Sequence, residues 1–186
     1  MTDLISILRG LGDAELGDWT RGTANYWDVN QLEIILDRHR REVWREPLTR
    51  IPRVEASATG YYEYRSQWSN FEQTTGGTAV FWLEDSTGAN VGTANYTVDY
   101  LNGRISFTAD QGGTIYYLTG RAYDLDAAAA DVWRVKGAHY ALAYDVSTDN
   151  QSLKRSQLLD HCARMADYYD AQGEPVTTLI VRDDVL

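Results

Sequence analysis

The sequence predicts an α+β protein in which a helical bundle is interrupted by an inserted antiparallel β domain. Residues 1–51 and 123–173 place apolar side chains at the spacing of helix faces. Residues 53–121 instead contain short runs of aromatic and β-branched residues with turn residues between them. Residues 174–186 follow a helix-stop signal and predict an extended C-terminal arm. A chain of 186 residues is long enough to bury a core of this kind.

Two helices are predicted in the first block. The apolar face of the first consists of Leu4, Ile7, Leu8 and Leu11. The second begins after Asp28, whose side chain can accept a hydrogen bond from the amide of Gln31 and cap the helix. Its apolar face consists of Leu32, Ile35, Leu36, His39 and Val43. Pro47 predicts that this helix ends between Trp44 and Glu46.

The β domain is predicted from five or six short runs that would form a small antiparallel sheet or barrel. Its clearest signal is Asn102-Gly103, which lies between the strand-like runs 96–101 and 104–107. Asn and Gly both tolerate positive φ, so a two-residue type I′ hairpin is expected there.

Helical spacing resumes in the second block at Asp124, whose negative charge favours a helix N-terminus. The predicted buried stripe consists of Leu125, Ala128, Ala129, Val132, Val135, His139 and Leu142. A capped corner is expected at residues 147–151, before a last helix with Leu158, Cys162, Met165 and Tyr169 on one face. Because both blocks carry one-sided apolar stripes that need cover, Leu36 and Val132 are predicted to share one core.

Composition narrows the classes of function. The net charge is −10 and neither half is basic, so attraction to nucleic-acid phosphates along the whole chain is not expected. The acidity favours either plain solubility or a channel wall along which DNA slides without sticking. The single cysteine, the lack of a secretion-signal pattern and the lack of a long apolar run predict synthesis in a reducing cytoplasm, without a membrane span.

Residues that often carry chemistry do not form a recognisable site in the sequence. His39, His139 and His161 fall in three predicted helices, and no two of them have the spacing of metal ligands. The paired acids Asp124 and Asp126 are explained by the start of a helix. The sequence therefore predicts no catalytic residue, no metal site and no cofactor.

Three arginines suggest a docking surface. Arg38, Arg41 and Arg45 would lie on one face of the second helix, at i, i+3 and i+7. A planar guanidinium pairs well with carboxylates, so this face could bind an acidic partner. The alternative is an ordinary solvated face, with local ion pairs to the interleaved Glu42 and Glu46.

The order of several short runs in the helical blocks, or helical phrases, resembles one protein family. These phrases are residues 28–40, 123–133, 144–150 and 155–157. Their order resembles that of the head-to-tail connector, or adaptor, proteins of tailed bacteriophages and prophages. The resemblance covers the helical blocks, and the β domain departs from the minimal all-helical adaptor.

The resemblance implies a structural virion protein. It implies a homo-oligomeric ring, typically dodecameric, that lies under the portal protein in the neck and joins the DNA-filled head to the tail. Further partners would be other neck or tail-completion proteins, and DNA would pass through the channel without sequence-specific binding. The subunit would assemble in the host cytoplasm and reside in the virion neck.

The C-terminal arm is the second predicted partner-binding element. Its candidate contact residues are Val176, Leu179, Ile180, Val181 and Leu186. This short β-prone run could add a strand to a neighbouring sheet or lie along the portal. It could instead close the β domain of its own subunit.

An alternative function starts from the aromatic content of the β domain. Tyrosine occurs 13 times and tryptophan 6 times in the chain. Such aromatics on an exposed face would favour a neck or tail decoration module that binds carbohydrate. Aromatics whose side chains alternate into a core would not favour this function.

Overall fold

Four α-helices and a set of antiparallel sheets make up the part of the chain that the structure describes, so the predicted α+β class is confirmed. The computed structural model describes residues 1–16, 18, 20–21, 24–55, 58–141, 146–148, 151–153 and 155–173. The helices are α1 (Thr2–Leu11), α2 (Val29–Arg38), α3 (Leu125–Ala141) and α4 (Arg155–Gln172), and a 3-10 turn covers Thr93–Asn95.

Both predicted helix caps are present. The amide of Gln31 donates to the Asp28 carboxylate at 2.8 Å, and the amide of Ala127 donates to that of Asp124 at 3.0 Å. Each bond satisfies one of the backbone donors that the first turn of a helix leaves without a partner.

Two larger sheets form most of the β region. One contains β4 (Thr49–Glu55), β5 (Ala58–Arg65), β10 (Arg104–Phe107) and β9 (Tyr96–Asp99) in that spatial order. The other contains β3 (Arg40–Pro47), β11 (Tyr117–Tyr123) and β8 (Trp82–Glu84). The short ribbons pair β1 (Thr20–Arg21) with β2 (Ala24–Asn25), β6 (Thr74–Thr75) with β7 (Thr78–Ala79), and β12 (Val146–Thr148) with β13 (Gln151–Leu153).

A single apolar core contains side chains from both larger sheets. Its buried aromatic members are Tyr64, Phe71, Phe81, Tyr96, Phe107 and Tyr116. Their rings meet in edge and stacked pairs, such as Phe107 and Tyr116 with centroids 4.8 Å apart. Burial raises the pKa of Tyr64 to about 12, and its protonated hydroxyl donates to the Thr114 carbonyl at 2.9 Å. The aromatics of the β region therefore mainly build its core.

A second core joins both helical blocks. It contains buried side chains of α1, α2 and α3 together with Trp27 and Tyr123. Leu36 and Val132 are both fully buried in it, as predicted. Burying one such side chain contributes about 1.5–3 kcal/mol to folding.

The buried stripe of the second block is only partly as predicted. His139 is exposed, and the buried arc of α3 runs instead through Trp133, Lys136 and Gly137. On α4, Cys162 is buried while Leu158 is 40% exposed. Leu142 lies outside the described residues.

The predicted length of the second helix is wrong. It ends at Arg38, and residues 40–47 form β3, so the β region starts well before residue 53. Val43 belongs to the core between the sheets, and the backbone of β3 pairs with β11 from Tyr117↔Pro47 to Tyr123↔Arg40. The apolar spacing of residues 40–47 is compatible with a helix and with a strand. Pairing with β11, which is distant in sequence, selects the strand. The expected corner at residues 147–151 is likewise the β12–β13 hairpin.

The hairpin at Asn102-Gly103 is present, but its turn is not type I′. The paired strands end at Asp99 and Arg104, so the connection has four residues. Positive φ occurs at Gly103 (+61°) and not at Asn102. The Asp99 carboxylate accepts from the backbone amide and the side-chain amide of Asn102, at 3.2 and 2.8 Å. These two bonds stabilise the longer loop.

Replacing Gly103 with Val is expected to lower the free energy of unfolding by about 2–4 kcal/mol. A Cβ at this position would lie 2.1 Å from the Trp68 carbonyl oxygen, and a β-branched residue resists positive φ. Gly112→Val is the matched control, because Gly112 also has positive φ (+56°) but open space around it. Urea unfolding of both variants checks the prediction, and equal losses would contradict the role of the close approach to Trp68.

Candidate functional site

A cavity of about 350 Å³ lies where the helices meet the β region. We call it the junction cavity. It is lined by Arg38, His39, Arg40, Arg41, Trp68, Ser69, Ala122, Tyr123, Asp124, Ala127, Asp170 and Gly173. These residues come from the end of α2, the start of β3, the loop after β5, the end of β11, the start of α3 and the end of α4. Both parts of the fold therefore contribute to the wall of this cavity.

His39 ties the end of α2 to α3. It is the C-terminal cap of α2, and its carbonyl accepts a hydrogen bond from the amide of Asp124 at 3.1 Å. Its Nε2 lies 2.9 Å from Oδ2 of Asp131. These two contacts hold the first two turns of α3 against the end of α2.

Asp131 is the centre of a small ionic network. Burial opposes its ionisation, yet hydrogen bonds from His39 and Arg134 outweigh this effect and hold the pKa of Asp131 below its usual value. Arg134 also pairs with Asp170, so the same guanidinium connects α3 to α4. At the start of α3, burial and the neighbouring Asp124 raise the pKa of Asp126.

Arg41 lies over the indole of Trp68. The centre of its guanidinium is 3.8 Å from the ring centroid, a cation–π distance that contributes about 0.5–2 kcal/mol. The Trp68 amide donates to Oγ of Ser66 at 3.0 Å, which fixes the loop that carries the ring. The stacked guanidinium is thereby held at the wall of the cavity.

The proposed arginine stripe does not exist as one helix face, because the chain changes from helix to strand within it. Arg38 is the last residue of α2, whereas Arg41 and Arg45 belong to β3. The structure nevertheless brings Arg38 and Arg41 together in the junction cavity and leaves Arg45 outside it.

Arg45 lies at an irregular point in β3. Its φ is +43°, and the pairing of β3 with β11 shifts register opposite it, which is the geometry of a β-bulge. Its amide donates to Oγ1 of Thr119 at 3.2 Å, and its guanidinium lies 3.4 Å from Oε2 of Glu84 and 5.1 Å from the ring of Tyr117. The neighbouring Trp44 is 74% exposed. Arg45 thus contacts side chains of β8 and β11 in its own sheet and does not line the junction cavity.

The candidate contact residues of the arm were named from sequence alone. Val176, Leu179, Ile180, Val181 and Leu186 lie outside the described residues. The predicted binding role of the arm stays a prediction.

Lys136 is an important polar residue that the sequence analysis missed. It is 4% exposed, and its Nζ lies 3.1 Å from Asp18 and 3.6 Å from Asp13. It also donates to the Asp13 carbonyl and lies 4.9 Å from the centroid of the Trp133 ring. Its position four residues after the buried Val132 is the signal that places it on the buried face of α3.

Glu72 is a second buried polar residue that the sequence did not reveal. It is 1% exposed and accepts hydrogen bonds from the Tyr123 hydroxyl at 3.0 Å and from Oγ1 of Thr75 at 2.8 Å. Arg121 lies 3.8 Å from the same carboxylate. Glu72 therefore connects the loop before β6 to the end of β11.

The three histidines have separate surroundings. His39 pairs with Asp131, the ring of His139 lies 5.7 Å from that of Tyr140, and the ring of His161 lies 5.4 Å from that of Trp133. Within the described residues, no group of three His, Cys, Asp or Glu residues is arranged to hold a metal ion. No helix in the same part of the chain is long and apolar enough to cross a membrane.

Comparison with protein-family models, with curated proteins and with solved structures finds no match for this chain.

Replacing Asp131 with Asn is expected to lower the free energy of unfolding by about 1–2 kcal/mol at neutral pH. The pKa of Asp131 is depressed in the folded state, so its stabilising effect is present above the unfolded pKa of about 4 and is lost as pH falls through the folded value. The stability difference between wild type and variant should therefore shrink on acidification.

Asp167→Asn is the matched control, since Asp167 is exposed on α4 and has no ion pair within the described part of the chain. Chemical unfolding at several pH values measures both variants. A pH-independent loss in Asp131→Asn, or an equal loss in the control, would contradict the ionic role of Asp131.

Proposed function

We propose that this chain is a structural subunit of the neck of a tailed bacteriophage or prophage. In this proposal it forms a homo-oligomeric ring, expected to be dodecameric, under the portal protein. The ring joins the DNA-filled head to the tail and contacts other neck or tail-completion proteins. The role is structural rather than catalytic.

The common core of the two helical blocks is the observation that carries the proposal. Residues of α1 and α2 pack with residues of α3 although the whole β region lies between them in sequence. This packing supports a helical connector module that is interrupted by a β insertion, as the order of the helical phrases suggests. The insertion would start at β3 and end at β11.

The acidic composition supports a role beside passing DNA. The chain carries 27 acidic and 17 basic residues. A ring with net negative charge repels phosphates, so DNA can move through it without being held. The subunit would assemble in the host cytoplasm and remain in the virion.

The burial of the β-region aromatics favours the connector over the carbohydrate-binding alternative. Six of these rings lie in the core between the sheets, where they cannot stack on a sugar. Trp44 is the large exposed aromatic of β3, with 74% of its surface accessible. The β insertion is better explained as a rigid body that decorates or spaces the neck.

Deleting residues 174–186 is expected to abolish the attachment of heads to tails while nearly preserving the melting temperature of the free subunit. The removed segment contains the apolar run that would pair with a neighbour. Electron microscopy of particles from a phage genome that encodes the truncated chain counts tailed and tailless heads.

A point-variant pair tests the same idea more finely. Ile180→Asp should block assembly, whereas Val54→Asp, at a position 73% exposed on the edge strand β4, should not. Native mass spectrometry of the purified chain with its portal measures the number of bound subunits. Normal particles from the truncated chain would overturn the proposed role of the arm.

A further inference from the structure

The outer face of the four-stranded sheet carries two arginines that oppose each other. Tyr64 and Ile105 are fully buried in the core between the sheets. Because side chains alternate along a strand, their neighbours Arg65 and Arg104 point to the opposite, outer face. These two arginines are paired directly across β5 and β10. Like charges at such a position repel each other, so the pair destabilises the sheet unless anions lie nearby.

The sheet itself provides only part of the compensating charge. Glu63, which lies on the same face, pairs with Arg104. Asp99 is opposite Arg104 on β9, but its carboxylate accepts hydrogen bonds from both amides of Asn102. No ion pair engages Arg65 within the described part of the chain. The outer face therefore has an excess of positive charge.

A groove of about 450 Å³ lies on this face, and we call it the sheet groove. In the strand register, Ile51 lies between Arg53 and the row of the paired arginines. The groove thus has an apolar middle with guanidinium groups on both sides. Its wall includes Ile51, Pro52, Arg53, Tyr62, Arg104 and Ser106.

The positive charge is confined to one part of the chain. Residues 40–65 contain six arginines and four glutamates, whereas the whole chain has 27 acidic and 17 basic residues. The remainder of the chain is therefore acidic, and a second copy presents surfaces of the opposite sign to the sheet groove. Such complementarity speeds encounter and selects the orientation in which two proteins meet.

The solvent face of α2 has the complementary pattern. Glu33, Ile34 and Asp37 lie on one side of this helix, within about one turn. Ile34 is 53% exposed. Asp37 lies 3.6 Å from Arg40, and no ion pair engages Glu33 among the described residues. An exposed aliphatic side chain is thus flanked by two carboxylates, as the apolar middle of the sheet groove is flanked by arginines.

We propose that the sheet groove of one subunit docks the solvent face of α2 of a second copy of this chain, with Glu33 beside Arg65 and Ile34 over Ile51. The proposal rests on the proposed neck ring and names the two surfaces through which its subunits meet. These surfaces share no residue, so the contact is head-to-tail. A head-to-tail contact that repeats with a suitable rotation closes into a ring.

Sedimentation velocity of the full-length chain at increasing concentration tests the contact. The wild type should self-associate at low salt and dissociate as salt is raised. Arg65→Glu and Glu33→Arg should each lower the association constant by about tenfold, because each places like charges opposite one another. Arg164→Glu is the matched control, since Arg164 is exposed on α4 and the net charge changes equally. It should associate like the wild type.

The variants are expected to fold, because both changes lie at the surface. Arg65→Glu also removes the repulsion from Arg104, so its melting temperature should be at least that of the wild type. An equimolar mixture of Arg65→Glu and Glu33→Arg should recover association. Each interface in the mixture can then form between opposite charges, in the original or the exchanged order.

Three results would overturn the proposal. They are a wild type that stays monomeric at every concentration, an equal loss in Arg164→Glu, and a mixture that associates no better than its components. Titration with a DNA duplex tests the other anionic occupant. Duplex binding that is lost in Arg65→Glu, without self-association of the wild type, would assign the groove to nucleic acid and would also overturn the proposal.

Failure of this contact and failure of the neck role give different results. Rings that form on the portal with Arg65→Glu as readily as with the wild type would overturn the contact and leave the neck role standing. Wild-type subunits that associate through these two surfaces without binding a portal would support the contact and contradict the neck role.

Discussion

The pairing of β3 with β11 is the constraint on which the rest of the structure depends. β3 starts two residues after α2, and β11 ends two residues before α3. Their pairing through Arg40↔Tyr123 therefore brings the end of one helical block beside the start of the other. The hydrogen bond from the Asp124 amide to the His39 carbonyl continues this contact into the helices. The first and last strands of the long β region thus pair with each other. The helices that precede and follow this region can therefore share one core.

The same closure creates the junction cavity. The ends of α2, β11 and α4 meet the starts of β3 and α3 at the junction cavity. The helix and strand backbones separate there, which leaves a gap between them. Polar side chains fill this border: His39 with Asp131, Arg134 with Asp170, and Tyr123 with Glu72. The buried Glu72 carboxylate thus has a specific partner, as groups removed from water require.

Two polar contacts of α3 hold the end of α1 and the residues that follow it against the helical core. Lys136 holds the loop that carries Asp13 and Asp18 against α3, and the Trp133 indole donates to the Leu11 carbonyl at 3.1 Å. Removing one partner of such a buried pair leaves the other charge without compensation, which costs more than the pair contributes. The loop between α1 and β1 is therefore held by charge, while α1 itself is held by apolar packing.

The sequence alone determined the local features of this protein. Helix starts at Asp28 and Asp124, the mixed α+β class and the position of the turn at Gly103 all follow from neighbouring residues, because capping and turn preferences act within a few residues. Only the tertiary structure decided that residues 40–47 form a strand, since their partners in β11 lie 70 to 83 residues away in the sequence. It also decided that Glu72 is buried, that Lys136 pairs with Asp13 and Asp18, and that Arg38 and Arg41, without Arg45, share a cavity. These outcomes depend on which distant segments meet, and short-range spacing carries no information about that.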